Sequence, residues 1–232
     1  MKLLLNAAVF LAVAVASGPL FAEPTQWGIQ IEQLEHRFGD DTDVRAWDAD
    51  VFVGSDEVKA VWRTEGEYET AGNKFESLEN QARLQVPVST FFDAVAGVRV
   101  DTPKGADRVY GVLGLHGLAP QWFEVDADLF LSDRPIMRFE AEYEALLTNR
   151  LILIPSIEVD LPLVDDHAVG WGAFGPKAEI GARLSYDVVD RLLSPYVGVH
   201  YERKFGDTKD LANEDGEDDE AFFLVAGTRI MF

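Results

Sequence analysis

Between Phe123 and Leu147 apolar and charged residues alternate one by one, with a period that a helix cannot use. Phe123, Val125, Ala127, Leu129 and Leu131 fall on one face, and Glu124, Asp126 and Asp128 on the other. After a short break Met137, Phe139, Ala141, Tyr143, Ala145 and Leu147 oppose Arg138, Glu140, Glu142 and Glu144. Side chains two apart share a face in a strand, whereas a helix brings residues three or four apart together. The alternation recurs over residues 78–86, 92–100, 151–161 and 174–186. It predicts twelve strands, at 26–38, 45–53, 58–68, 74–86, 91–101, 108–118, 121–132, 136–148, 150–163, 173–187, 194–205 and 220–232. Most are about twice the length of an ordinary globular strand and long enough to cross a bilayer at a tilt.

Composition narrows what such strands can build. Hydrophobic residues make up 47 % of the chain, too many for a solvated acidic protein, so charge and apolarity are segregated between two faces. The net charge of −21, from 20 basic and 41 acidic side chains, excludes nucleic acid as a partner and favours cations. There is no cysteine, which removes disulfides, thiolate metal sites and cysteine nucleophiles. Lys2, an apolar run at 3–17 and the break at Gly18 and Pro19 read as a secretory signal peptide over residues 1–22. Residues 23–232 are then the exported domain, and they hold no apolar stretch long enough for a helical membrane span.

A soluble sandwich would alternate too, and three features favour a membrane barrel. With the N-terminus in the periplasm, short turns at 54–57, 87–90, 119–121, 148–149 and 189–194 lie on one side. Longer loops at 101–107, 164–172 and 206–219 lie on the other, although two connections there, around Gly72 and 132–134, are short. Aromatic residues stand near strand ends, at Trp27, Phe38, Trp122, Phe130, Tyr186, Tyr196, Phe205 and Phe232, as expected at headgroup level. Finally, the segment from Gly227 to Phe232 resembles the terminal assembly signal of outer-membrane barrels, with Val225 where a polar residue is expected. The expected fold is therefore all-β: an up-and-down antiparallel transmembrane barrel of about twelve strands in the outer membrane of a Gram-negative bacterium.

In such a barrel the charges face the lumen. Glu124, Asp126 and Asp128 would stand beside Glu140, Glu142 and Glu144, with Arg138 as the close cation. Two readings compete for this cluster. One is a lumen filled by arginine–carboxylate pairs, as in a structural or small-solute barrel. The other is a passage whose carboxylates attract or bind metal ions. His36, His116 and His200 fall on inward positions, and imidazole with carboxylate suits Cu(II) or Zn(II). Met137 should face lipid, which leaves a thioether Cu(I) site poorly supported. The loop at 206–220 carries eight carboxylates against Lys209 and reads as solvated, or as holding divalent ions that bridge to lipopolysaccharide. The chain has no GxSxG or HExxH motif and no forced Ser, His and Asp grouping, so catalysis is not expected.

The strings WGIQIEQLEHRFG (27–39), WDADVFVG (47–54), GLAPQWFEVDADLFLS (117–132), FEAEYEALLTNRLILIPSIEVDL (139–161) and SPYVGVHYERKFGDT (194–208) resemble the copper resistance protein B family. The resemblance spans 27–232 and implies an outer-membrane barrel that takes part in copper resistance and copper-ion binding. Copper is then the implied cofactor or cargo, with outer-membrane lipid, lipopolysaccharide and a periplasmic copper protein as partners. Many members carry a Met/His-rich stretch ahead of the barrel; here only residues 23–26 separate the expected cleavage site from Trp27. The candidate ligands are therefore lumenal: His36, His116 and His200, with Glu124, Asp126 and Glu142.

Overall fold

The computed structural model describes residues 25–40, 42–102, 107–189 and 191–232. The expected signal peptide and residues 103–106 of one loop lie outside them. In chain order the strands are β1 (Gln26–Phe38), β2 (Val44–Gly54), β3 (Lys59–Glu69), β4 (Lys74–Pro87), β5 (Phe92–Thr102) and β6 (Arg108–Ala119). They continue as β7 (Phe123–Leu131), β8 (Ile136–Glu142), β9 (Ala145–Leu146), β10 (Leu151–Pro162), β11 (Lys177–Tyr186), β12 (Leu193–Lys204) and β13 (Glu220–Met231). One helix, α1 (Gly206–Asp215), lies between β12 and β13.

Each strand pairs antiparallel with its neighbours, and β13 returns to pair β1, so the sheet closes and leaves no edge. Phe232 and Ile29 complete that seam through N–H to carbonyl bonds of 2.8 and 3.1 Å. β8 and β9 both pair β10 and occupy one position in the wall, which makes a twelve-stranded barrel. Their separation has a local cause. Tyr143 donates to the Pro155 carbonyl at 3.1 Å, but Pro155 has no amide hydrogen to return, and the ladder lapses at Tyr143 and Glu144. The other expected strand limits agree within two residues except the start of β11, at Lys177 instead of 173. There Phe174 adopts a left-handed φ of 56°, and Pro176 cannot donate to a ladder.

The outer wall is apolar. Val109, Leu113 and Leu115 on β6, Met137 and Phe139 on β8, and Ile180, Val197 and Leu224 on the following strands are all exposed. A continuous belt of this kind suits lipid contact. Trp27, Phe38, Trp122, Tyr186, Phe205 and Phe232 are exposed near strand ends, as expected. Phe130 and Tyr196 are not: both point inward and are 0 % and 4 % exposed. Phe130 packs with Val95, Tyr110, Val112 and Ile136 in an apolar cluster inside the barrel. The Arg99 guanidinium sits 4.2 Å from its ring centroid, so the ring faces a buried cation instead of headgroups.

One end of the barrel holds the start of β1, the end of β13 and most of the short turns. At the other, the 163–176 segment and α1 fold against each other. The Thr208 hydroxyl accepts from Gly172 N–H at 3.0 Å and donates to the Gly175 carbonyl. A Cβ on Gly175 would lie 2.4 Å from the Thr208 nitrogen, so this contact requires glycine. The acidic run at 206–220, read as a solvated loop, is thus largely helical. Gly216 ends the helix at φ 75°, with Glu217 N–H bonded to the Ala212 carbonyl at 2.8 Å. Asp166 ties the 163–176 segment to the wall, accepting hydrogen bonds from Arg108 Nε at 2.7 Å and from Arg134.

A candidate metal centre in the lumen

The lumen contains a cavity of about 820 Å³ lined mainly by charged residues from most of the strands. Arginines cross it. Arg83 on β4 pairs with Asp128 on β7 and approaches Asp126 at 3.5 Å. Arg63 on β3 lies 3.2 Å from Asp50, 3.9 Å from Asp126 and 3.8 Å from Glu140. Arg138 on β8 holds Asp160 through two bonds of 2.8 and 2.9 Å and reaches Glu65 on β3 at 3.0 Å. The β7–β8 register places Glu124 opposite Glu142, Asp126 opposite Glu140 and Asp128 opposite Arg138, as the alternation predicts. The expectation that Arg138 is the close cation falls short, because Arg63, Arg83 and Arg229 reach the same acids from distant strands.

The six ligands expected from sequence do not form one site. His116 stands opposite Asp126 and shares a hydrogen bond of 3.0 Å with it through Nδ1; its Nε2 is 4.0 Å from Glu124. Those three come together, with Asp126 also under the pull of Arg63 and Arg83. Glu142 faces Glu124 across the ladder but is paired with Arg229 at 3.2 Å. His36 is not in the lumen. The β1–β2 register shifts between Ile31 and Gln33, and this bulge reverses the facing of every later residue on β1. Glu35 and Arg37 turn inward and are buried, while Leu34, His36 and Phe38 turn outward. His36 lies 3.4 Å from Asp43 at the outer rim and stacks edge-on against Phe38.

His200 belongs to a second group that the sequence reading did not assemble. The β11–β12 register sets Glu179 opposite Glu202 and Gly181 opposite His200. All these side chains project inward, and one ligand atom from each of Glu179, His200 and Glu202 lies within 4.8 Å of the others. Among the described residues this is the one group of three or more histidine and carboxylate donors with such spacing. His200 is only 4 % exposed and packs beside Phe223. Its Nε2 is 3.2 Å from Glu179 Oε2, an ion-pair distance, and makes no hydrogen bond. A buried imidazole nitrogen without a hydrogen bond, beside two carboxylates, is a donor set that fits Cu(II) or Zn(II). Lys177, two residues before Glu179 on the same face, places Nζ 2.9 Å from Glu179 and 2.7 Å from Glu202.

Comparison with known proteins now identifies the family. Residues 25–232 match the family model described as copper resistance protein B precursor. The chain belongs to the copper resistance protein B family. It is 35 % identical over 206 residues to copper resistance protein B of Escherichia coli, covering 88 % of this chain and 69 % of that protein. It is 37 % identical over 203 residues to a copper resistance protein B homolog of Pseudomonas syringae pv. tomato, covering 87 % and 68 %. Among solved structures the barrel is similar to the NanC porin, with a TM-score of 0.58 at 11 % identity over 88 % of this chain and 99 % of that one. It is also similar to the KdgM porin, with a TM-score of 0.52 at 10 % identity over the same shares. The two porins speak for the fold alone. The family supplies the relation to copper, and the lumen supplies donors that suit it.

Proposed function

We infer that this barrel spans the outer membrane and binds copper ions in its lumen on their way across it. The observation that carries the reading is the Glu179–His200–Glu202 group, whose buried imidazole nitrogen and two facing carboxylates sit in an acidic cavity. An acidic lumen concentrates cations before any coordination occurs, and a nitrogen donor then favours copper over magnesium or calcium. Copper is the cargo in this reading, and outer-membrane lipid contacts the apolar belt. A periplasmic copper protein is the natural partner for the ion at the far side.

Isothermal titration of the refolded barrel with Cu(II), with Zn(II) and Mg(II) as controls, tests the proposal. A saturable copper site that is lost in His200→Ala supports it. Only weak responses of equal size to all three ions would sink coordination in the lumen.

A second reading keeps the same fold without a metal site. The ion pairs that Arg63, Arg83 and Arg138 make across the lumen favour it, since they consume many of the acids in holding the barrel together. In that case His200→Ala changes stability and leaves copper binding unchanged.

A further inference from the structure

We propose that Lys177 is a tethered cation that holds the Glu179–His200–Glu202 site until a copper ion displaces it, which makes this a site of exchange and not of storage. The inference rests on the copper reading of that site and adds how it is regulated.

Glu179 and Glu202 face each other directly across the β11–β12 ladder, where two carboxylates repel. A positive charge between them relieves that repulsion. The Lys177 ammonium does so, at 2.9 and 2.7 Å, and so occupies the oxygens that a metal would need. The other cations nearby are committed elsewhere. Arg37 is held by Glu35 at 2.8 Å and by Glu67 at 2.6 Å, and Lys204, opposite Lys177 in register, is held by Glu217 at 3.0 Å.

His200 gives the arrangement its direction toward metal. An ammonium satisfies the carboxylates but leaves the buried Nε2 without a hydrogen bond, whereas a copper ion would engage the nitrogen and both oxygens. A lysine suits the role of placeholder, because its charge rides on a flexible stem and can swing away intact. The cost of moving it subtracts from copper affinity, so the ion is caught reversibly.

The test is Cu(II) titration of the refolded chain as wild type, Lys177→Met and Lys204→Met. Lys177→Met is expected to bind copper about tenfold more tightly or better, through loss of the competing buried charge. Lys204→Met removes the same charge without touching the donors and is expected to stay within about twofold, because its ammonium is held by Glu217 and not by the donor carboxylates. Equal tightening in both variants would overturn the proposal in favour of a general charge effect. Unchanged affinity in Lys177→Met, with wild-type binding still dependent on His200, would overturn it and leave the copper reading standing. No His200-dependent binding in any form would remove both. Should Lys177→Met fail to refold, amine labelling of wild type decides: copper is expected to raise labelling at Lys177, and unchanged labelling overturns displacement.

Discussion

The guanidinium of Arg183 on β11 donates two hydrogen bonds of 2.9 Å to the carboxylate of Glu35 on β1, 148 residues away in sequence. Arg37 and the Tyr196 hydroxyl donate to the same carboxylate, at 2.8 and 2.9 Å. All of this depends on the bulge between Ile31 and Gln33, which turns Glu35 into the lumen. Glu35→Ala leaves two buried guanidinium groups and a phenol without their common acceptor. The expected cost is about 3–5 kcal/mol, read as a fall in the urea unfolding midpoint of the barrel in detergent. A loss below about 1 kcal/mol, the scale of an exposed pair, would mean that water already screens this contact.

The loop end should loosen in acid, and Asp166 sets the range. Burial alone would raise its pKa, but the hydrogen bonds and positive charges of Arg108 and Arg134 outweigh burial and hold the carboxyl below its usual range. A folded-state pKa below the unfolded one means the stabilisation is present at neutral pH and is lost as pH falls through the folded value. Hydrogen exchange in the 163–176 segment is therefore expected to accelerate at low pH, and Asp166→Asn should exchange fast already at neutral pH. A variant whose exchange matches wild type at every pH would show that the backbone bonds between Asp166 and Trp171, at 2.7 and 3.1 Å, suffice to hold the segment.

Charge in the lumen makes a prediction about ions in general. In planar bilayers under a salt gradient, any current through the barrel is expected to be carried by cations, since acids outnumber bases along the cavity. Arg63→Gln should increase that preference, because Arg63 is shared among Asp50, Asp126 and Glu140. Anion selectivity would contradict the electrostatic reading of the lumen.

Much of the barrel was legible in the sequence because each strand obeys one rule at a time. Apolar residues face lipid, charges face inward, and strand number and limits follow. Where two rules act on one residue the reading failed. Phe130 and Tyr196 obey the position of a headgroup aromatic, yet their parity puts them in the lumen, and parity decides. His36 was misplaced because a bulge has no residue signature of its own. Its trace is the step of three from Ile31 to Leu34, where the apolar residues had run every second position. The Glu179–His200–Glu202 group could have been found by pairing β11 and β12 outward from the 187–192 turn. Lys177 between the carboxylates, and the arginines that span the lumen, depend on rotamers and on strands far apart in sequence. No local pattern encodes them.

The most direct measurement is electron paramagnetic resonance of Cu(II) bound to the refolded barrel, comparing wild type with His200→Ala and His36→Ala. Nitrogen hyperfine coupling is expected in wild type and in His36→Ala, whose histidine lies on the outer wall, and should vanish in His200→Ala. Coupling that survives in His200→Ala, or that disappears in His36→Ala instead, would contradict a copper site at Glu179, His200 and Glu202.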